Sequence, residues 1–88
     1  MRIKINNIDR YGLVYDVSKL LFENNLNILS MEVKRNVIYL ETAEIPAEQE
    51  KFLLQKLKEI ANIDSIEKIL LMPYENKIQN LKTVLNTM

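Results

Sequence analysis

Gly12 is the only glycine among 88 residues, and its position constrains the fold more than any other single feature. It stands between an alternating run, Met1-Arg-Ile-Lys-Ile5, and an amphipathic run that begins at Leu13. A lone glycine where one periodicity gives way to another supplies backbone freedom for a tight turn, or for the close approach of a ligand. The amides that follow it are the unpaired donors of a new helix, suited to an anion such as a carboxylate, with Asp9 just ahead to take an amine. An ordinary turn that binds nothing is the alternative reading.

The chain on either side of Gly12 can be followed by its periods. Met1, Ile3 and Ile5 alternate with Arg2, Lys4 and Asn6, which predicts a strand with one buried face. Leu13, Val14, Val17, Leu20 and Leu21 recur at helical spacing, predicting a helix over 13–24. Asn24 and Asn25 follow its last apolar residue, and asparagine tolerates the left-handed conformation that ends many helices. Residues 27–34 and 37–45 are rich in β-branched and aromatic side chains and are separated by Arg35-Asn36, which predicts a hairpin. The successive apolar positions 37–40 suggest an inner strand covered on both faces.

Pro46 can open a second helix, with Glu48 and Glu50 near its positive end. Phe52, Leu53, Leu57, Ile60 and Ala61 form its expected buried stripe, and it should end near Asn62. Residues 63–72 read as a last strand closed by Pro73. The order β-α-β-β-α-β predicts an α+β protein, a ferredoxin-like sandwich with two helices on one face of a four-stranded antiparallel sheet. This unit is expected to span residues 1–73. From Tyr74 onward, Tyr74, Ile78, Leu81, Leu85 and Met88 fall at alternating steps of four and three, the seam of a linking helix that pairs with a second copy. A helix folded back on its own domain is the alternative. No cap or breaker precedes the end at Met88, so the natural chain is expected to continue.

Composition narrows the chemistry. With 12 basic and 12 acidic residues, the surface has no excess charge for direct nucleic-acid contact or for an anionic membrane. The absence of Cys and His removes disulfides, thiol catalysis, thiolate metal sites and the commonest general base. The chain is therefore expected to be no enzyme and to hold no metal. No apolar run approaches a membrane span, and the N-terminus lacks a signal-peptide pattern, so a cytoplasmic location is expected. Paired cysteines for a metal, basic and aromatic middle strands for RNA, and a glycine-rich cradle for an acyl phosphate are all missing, which leaves a binding or oligomerisation module.

Two motifs carry a family resemblance. Asp9-Arg-Tyr-Gly-Leu13 resembles the "D-R-x-G-L" opening of ACT domains, regulatory modules that sense amino acids. Asn25-Leu-Asn-Ile28 is similar to their "G-x-N-I" exit from the first helix, with Asn25 where glycine is usual. The start at Met1, the run Val37-Ile-Tyr-Leu-Glu-Thr-Ala-Glu-Ile45 and the exit Met72-Pro-Tyr-Glu75 further resemble the ACT domain at the head of sigma-54-activator-type bacterial regulators of aromatic amino-acid genes. The resemblance implies downstream PAS, ATP-binding and helix-turn-helix modules, so that ATP and DNA would be bound only outside these residues. Another ACT-bearing regulator, or feedback control of a metabolic enzyme, fits the same motifs.

The resemblance also implies a site and a partner. Amino-acid-binding ACT domains pair side by side through the second strand, and the ligand sits at the seam. Asn7, Asp9, Arg10, Tyr11, Gly12 and Leu13 would form one wall, and Asn27, Ile28, Leu29 and Ser30 of a homodimeric partner the other. The amides near Gly12 and Leu13 would take the carboxylate, Asp9 and Asn27 the ammonium, and Tyr11 or Leu29 the side chain of phenylalanine or tyrosine. No other cofactor is implied. Each residue also has a plainer role: Asp9 as a helix cap, Asn7 and Asn27 in turns, Arg10 as a solvated charge. A ligand-free dimerisation platform is the competing expectation. A docking face for RNA polymerase built on Arg2, Asp9 and Arg10 is a third.

Overall fold

The computed structural model describes residues 1–74, and within them six elements follow in the expected order. These are β1 (Arg2–Asn7), α1 (Leu13–Glu23), β2 (Ile28–Lys34), β3 (Val37–Thr42), α2 (Ala47–Lys58) and β4 (Ile63–Lys68). The strands form one sheet in the order β2-β3-β1-β4, and every neighbouring pair is antiparallel. This is the ferredoxin-like sandwich.

Strand periodicity places the core. Met1, Ile3 and Ile5 are buried on one face of β1, facing the same side as Ile38 and Leu40 of β3. Leu13, Val17 and Leu21 of α1 and Leu53 and Leu57 of α2 close over them. The alternation in β1 continues beyond Ile5 to the buried Asn7. Asparagines in left-handed conformations follow α1 and turn the hairpin: Asn25 takes φ 58 and Asn36 takes φ 65.

Several expectations are corrected. Inner strand β3 buries Ile38, Leu40 and Thr42 but leaves Val37, Tyr39 and Glu41 half-buried, so one face of the sheet stays open. That face is a lattice of charges: Arg2 lies 2.7 Å from Glu41, Lys4 3.9 Å from Glu67, and Lys34 3.5 Å from Glu32. Val14 and Phe52, assigned to buried stripes, are substantially exposed; the Lys56 ammonium lies over the Phe52 ring instead. α2 stops at Lys58, four residues before Asn62, because turn bonds from Glu59 to Lys56 and from Ile60 to Leu57 close it. Pro46 sits at the N-cap with an extended ψ of 149°, one position ahead of the first helical residue.

The last strand is also shorter than its apolar pattern suggests. β4 ends at Lys68, Leu70 is almost fully exposed, and Met72 alone returns to the interior. Tyr74 is partly exposed, while Ile78, Leu81, Leu85 and Met88, the remaining positions of the expected helical seam, lie outside the described residues. Among the described residues no helix is long and apolar enough to cross a membrane.

Candidate functional site

The segment between β1 and α1 is clamped from both sides by asparagines that adopt left-handed conformations. The Asn7 amide donates to the Asn36 carbonyl at 3.1 Å, and the Ile8 amide to the Asn62 carbonyl at 2.8 Å. The side chains repeat the pattern: Asn36 Oδ1 accepts from the Asp9 amide at 3.2 Å, and Asn62 Nδ2 donates to the Ile8 carbonyl at 3.3 Å. Asn62 adopts φ 75, a conformation that asparagine tolerates better than most residues. The turn is thus held between the β2–β3 hairpin and the α2–β4 loop.

Gly12 takes φ 82 and ψ 0 at the N-cap of α1, which is why this position needs glycine. The Leu13 amide closes a turn onto the Arg10 carbonyl at 3.4 Å. The amides of Val14 and Tyr15 then stand as first-turn donors without an intrahelical acceptor. Around them Arg10, Tyr11, Gly12, Leu13, Val14 and Tyr15 line a shallow, mostly apolar concavity of about 580 Å³. Tyr11 is fully exposed, and Tyr15 is 66% exposed.

The expected site residues divide accordingly. Gly12, Tyr11 and Arg10 gather at the concavity. Leu13 contributes backbone and one wall, since its side chain is buried in the core. Asn7 is buried and turns its Nδ2 onto the Ile5 carbonyl at 3.1 Å, a structural role. Asp9 is exposed and does not cap the helix, which has no side-chain cap. Arg10 is not a solvated charge either: Nε donates to the Ala61 carbonyl at 3.1 Å, one terminal nitrogen to the Tyr11 carbonyl at 3.2 Å, and the other to Asp16 Oδ2 at 2.7 Å. Val14 and Tyr15, which also line the concavity, were missed as site residues; their position in the first turn after a helix-opening glycine was the available signal.

Residues 27–30 lie at the opposite end of the sheet within the same chain. Ile28 faces Thr42, whose amide bonds to the Met1 carbonyl at 2.8 Å, whereas the Gly12 turn follows the far end of β1. Asn27 is exposed and accepts from the Ala43 amide at 3.0 Å, Leu29 is exposed, and Ile28 packs against the core. In one chain the two walls do not meet. Among the described residues no group of acidic side chains is placed to hold a metal ion.

No family model and no curated protein sequence matches the chain. The fold does match solved structures. The crystal structure of the ACT domain from GTP pyrophosphokinase of Chlorobium tepidum superposes with a TM-score of 0.68 at 15% identity, over 77% of this chain and 94% of that one. The solution NMR structure of the ACT domain from the same enzyme gives 0.62 at 16% identity, over 81% of this chain and 85% of that one. The class that strand order and helix placement define is therefore the ferredoxin-like sandwich, the fold that these two ACT domains share with it.

Proposed function

We propose that this chain is an amino-acid-sensing ACT module that works as a homodimer. The particular protein it fits best is the head of a TyrR-like regulator of aromatic amino-acid genes. The observation that carries the reading is the Gly12 turn, where Val14 and Tyr15, the residues whose first-turn amides lack an intrahelical acceptor, line an apolar concavity together with Tyr11. Amides take a carboxylate, aromatic rings suit an apolar or aromatic side chain, and Asp9 is the exposed anion nearest in sequence for an ammonium.

Topology supports a seam between copies. β2 is a sheet edge, and antiparallel pairing of two such edges brings residues 27–30 of one copy toward the end of β2 in the other. That is the end of the sheet where the Gly12 turn lies, clamped by Asn36. Binding there would couple ligand concentration to dimer geometry, and the chain after Pro73 would carry the change onward. The ACT assignment rests on the motifs at Asp9 and Asn25, and the TyrR-like one on the run from Val37 to Ile45 and on the exit at Met72; DNA and ATP contacts would belong to other modules.

A ligand-free platform is favoured by one observation, the engagement of all three Arg10 guanidinium nitrogens within the chain. Calorimetric titration separates the two readings. The sensor takes up phenylalanine or tyrosine with one site per chain and loses that heat in Asp9→Ala while remaining dimeric; a dimer that takes up no amino acid is a platform. A module serving feedback control of an enzyme would behave as the sensor does in this assay, and the downstream sequence distinguishes it.

A further inference from the structure

The two free edges of the sheet differ in character. β4 presents Asp64, Ser65, Glu67 and Lys68, charges and polar groups that discourage a further strand. β2 carries Leu29, Met31 and Val33, with Leu29 58% and Val33 51% exposed. The register of β2 against β3 slips between Ile28 and Ser30, so Leu29 bulges and regular geometry begins at Ser30. Leu29 borders a concavity of about 530 Å³ together with Arg2, Glu41, Glu44 and Leu70. At the other end of β2 stands the exposed hairpin tip, Arg35-Asn36. Glu41 is held by Arg2 and Lys34 by Glu32. Glu44 and Arg35, at opposite ends of this edge, have no ion-pair partner among the described residues.

We infer that the concavity at Leu29 receives the hairpin tip of a second copy of this chain, the two β2 strands running antiparallel about Glu32. This rests on the two-copy reading above and gives it a register. Met31 and Val33 lie on the core side, opposite Leu40 and Ile38, and in this register Met31 of one copy faces Val33 of the other. Ser30 faces Lys34. Arg35 falls opposite the bulged Leu29, its stem over the exposed leucine and its guanidinium within reach of Glu44. The two Glu32 carboxylates meet at the axis, each accompanied by its own Lys34, which offsets their repulsion. Centring on Met31 would set Val33 against the bulge, and centring on Val33 would set Met31 against Arg35. Parallel pairing would bring like charges together.

The chain has no cysteine, so single thiols read the register cleanly. Across an antiparallel pair, facing Cα atoms are about 4.5–5.5 Å apart, within disulfide range. Glu32→Cys should cross-link to itself on mild oxidation. Met31→Cys and Val33→Cys, whose symmetry mates lie beyond the roughly 7 Å limit, should not. In sedimentation, Arg35→Glu and Glu44→Arg should each weaken the dimer roughly tenfold, and the doubly reversed chain should recover most of the loss. A dimer that bridges at Met31 or Val33 but not at Glu32, or that the double reversal fails to restore, overturns this register and leaves the two-copy reading standing. A chain that stays monomeric overturns both. A dimer indifferent to both reversals but split by Leu81→Asp is held by its tail, and the inference fails.

Discussion

The guanidinium of Arg10 stands 2.7 Å from the carboxylate of Asp16 while its Nε donates to the carbonyl of Ala61. One side chain thus ties the first turn of α1 to the loop before β4. Each of its three nitrogens has a partner inside the chain, whereas the first-turn amides of Val14 and Tyr15 have no intrahelical acceptor.

Removing that tie should loosen the corner. Arg10→Met is expected to cost about 1–2 kcal/mol of stability, discounted because the pair is partly exposed. Lysine should not restore it, since an ammonium cannot spread over three acceptors in fork geometry. Urea unfolding of both variants checks this: Arg10→Lys should resemble Arg10→Met and not the parent.

Gly12 is required for its backbone angle and not for lack of space. A Cβ built there meets only an Arg10 terminal nitrogen at 3.8 Å, an ordinary contact, but φ is +82. Gly12→Ala should therefore cost about 1–2 kcal/mol, and Gly12→Val more. Gly12→Asn should cost less than alanine, an order that a steric explanation would reverse. Denaturant midpoints of the three variants give the ranking.

Asn36 does two things, and substitutions separate them. It holds φ 65, and its side chain accepts the Asp9 amide. Asn36→Gly keeps the conformation and loses the bond, at a cost of about 1 kcal/mol. Asn36→Ala loses both, at roughly 2–3 kcal/mol. Equal losses in thermal or urea unfolding would mean that the left-handed turn contributes nothing.

Much of this architecture was legible because local periods agree with the tertiary arrangement. Met1, Ile3 and Ile5 alternate, Leu13, Val17 and Leu21 recur at helical steps, and Asn25 and Asn36 sit where left-handed turns end an element. What was not legible depends on distant partners. Arg10 reads as a surface charge until Ala61, fifty-one positions away, is brought beside it. Ile60 and Ala61 extend the apolar stripe of α2 in sequence, yet local turn bonds end that helix first. Leu70 looks like strand interior, but β4 has already left its neighbour and the side chain faces outward. Apolar character alone does not report that a strand has ended.

Asp9 offers a direct test of chemistry at the site. Its carboxylate is exposed and makes no ion pair among the described residues, so Asp9→Ala should change stability by no more than about 0.5 kcal/mol. The same substitution should abolish ligand-dependent stabilisation and leave the sedimentation coefficient unchanged. A variant that still responds fully to ligand would remove Asp9 from the site.

The central claim, that the Gly12 corner holds a free amino acid, is tested most directly by melting the chain in the presence of each standard amino acid in turn. A ligand that binds only the folded state stabilises it by about 1.4 kcal/mol at ten times its Kd, which for a domain of this size is roughly 5–10 °C. Phenylalanine or tyrosine at millimolar concentration should raise Tm by that amount, while aspartate and lysine should not. An unchanged Tm with every amino acid would contradict the account and leave the chain a dimerisation platform.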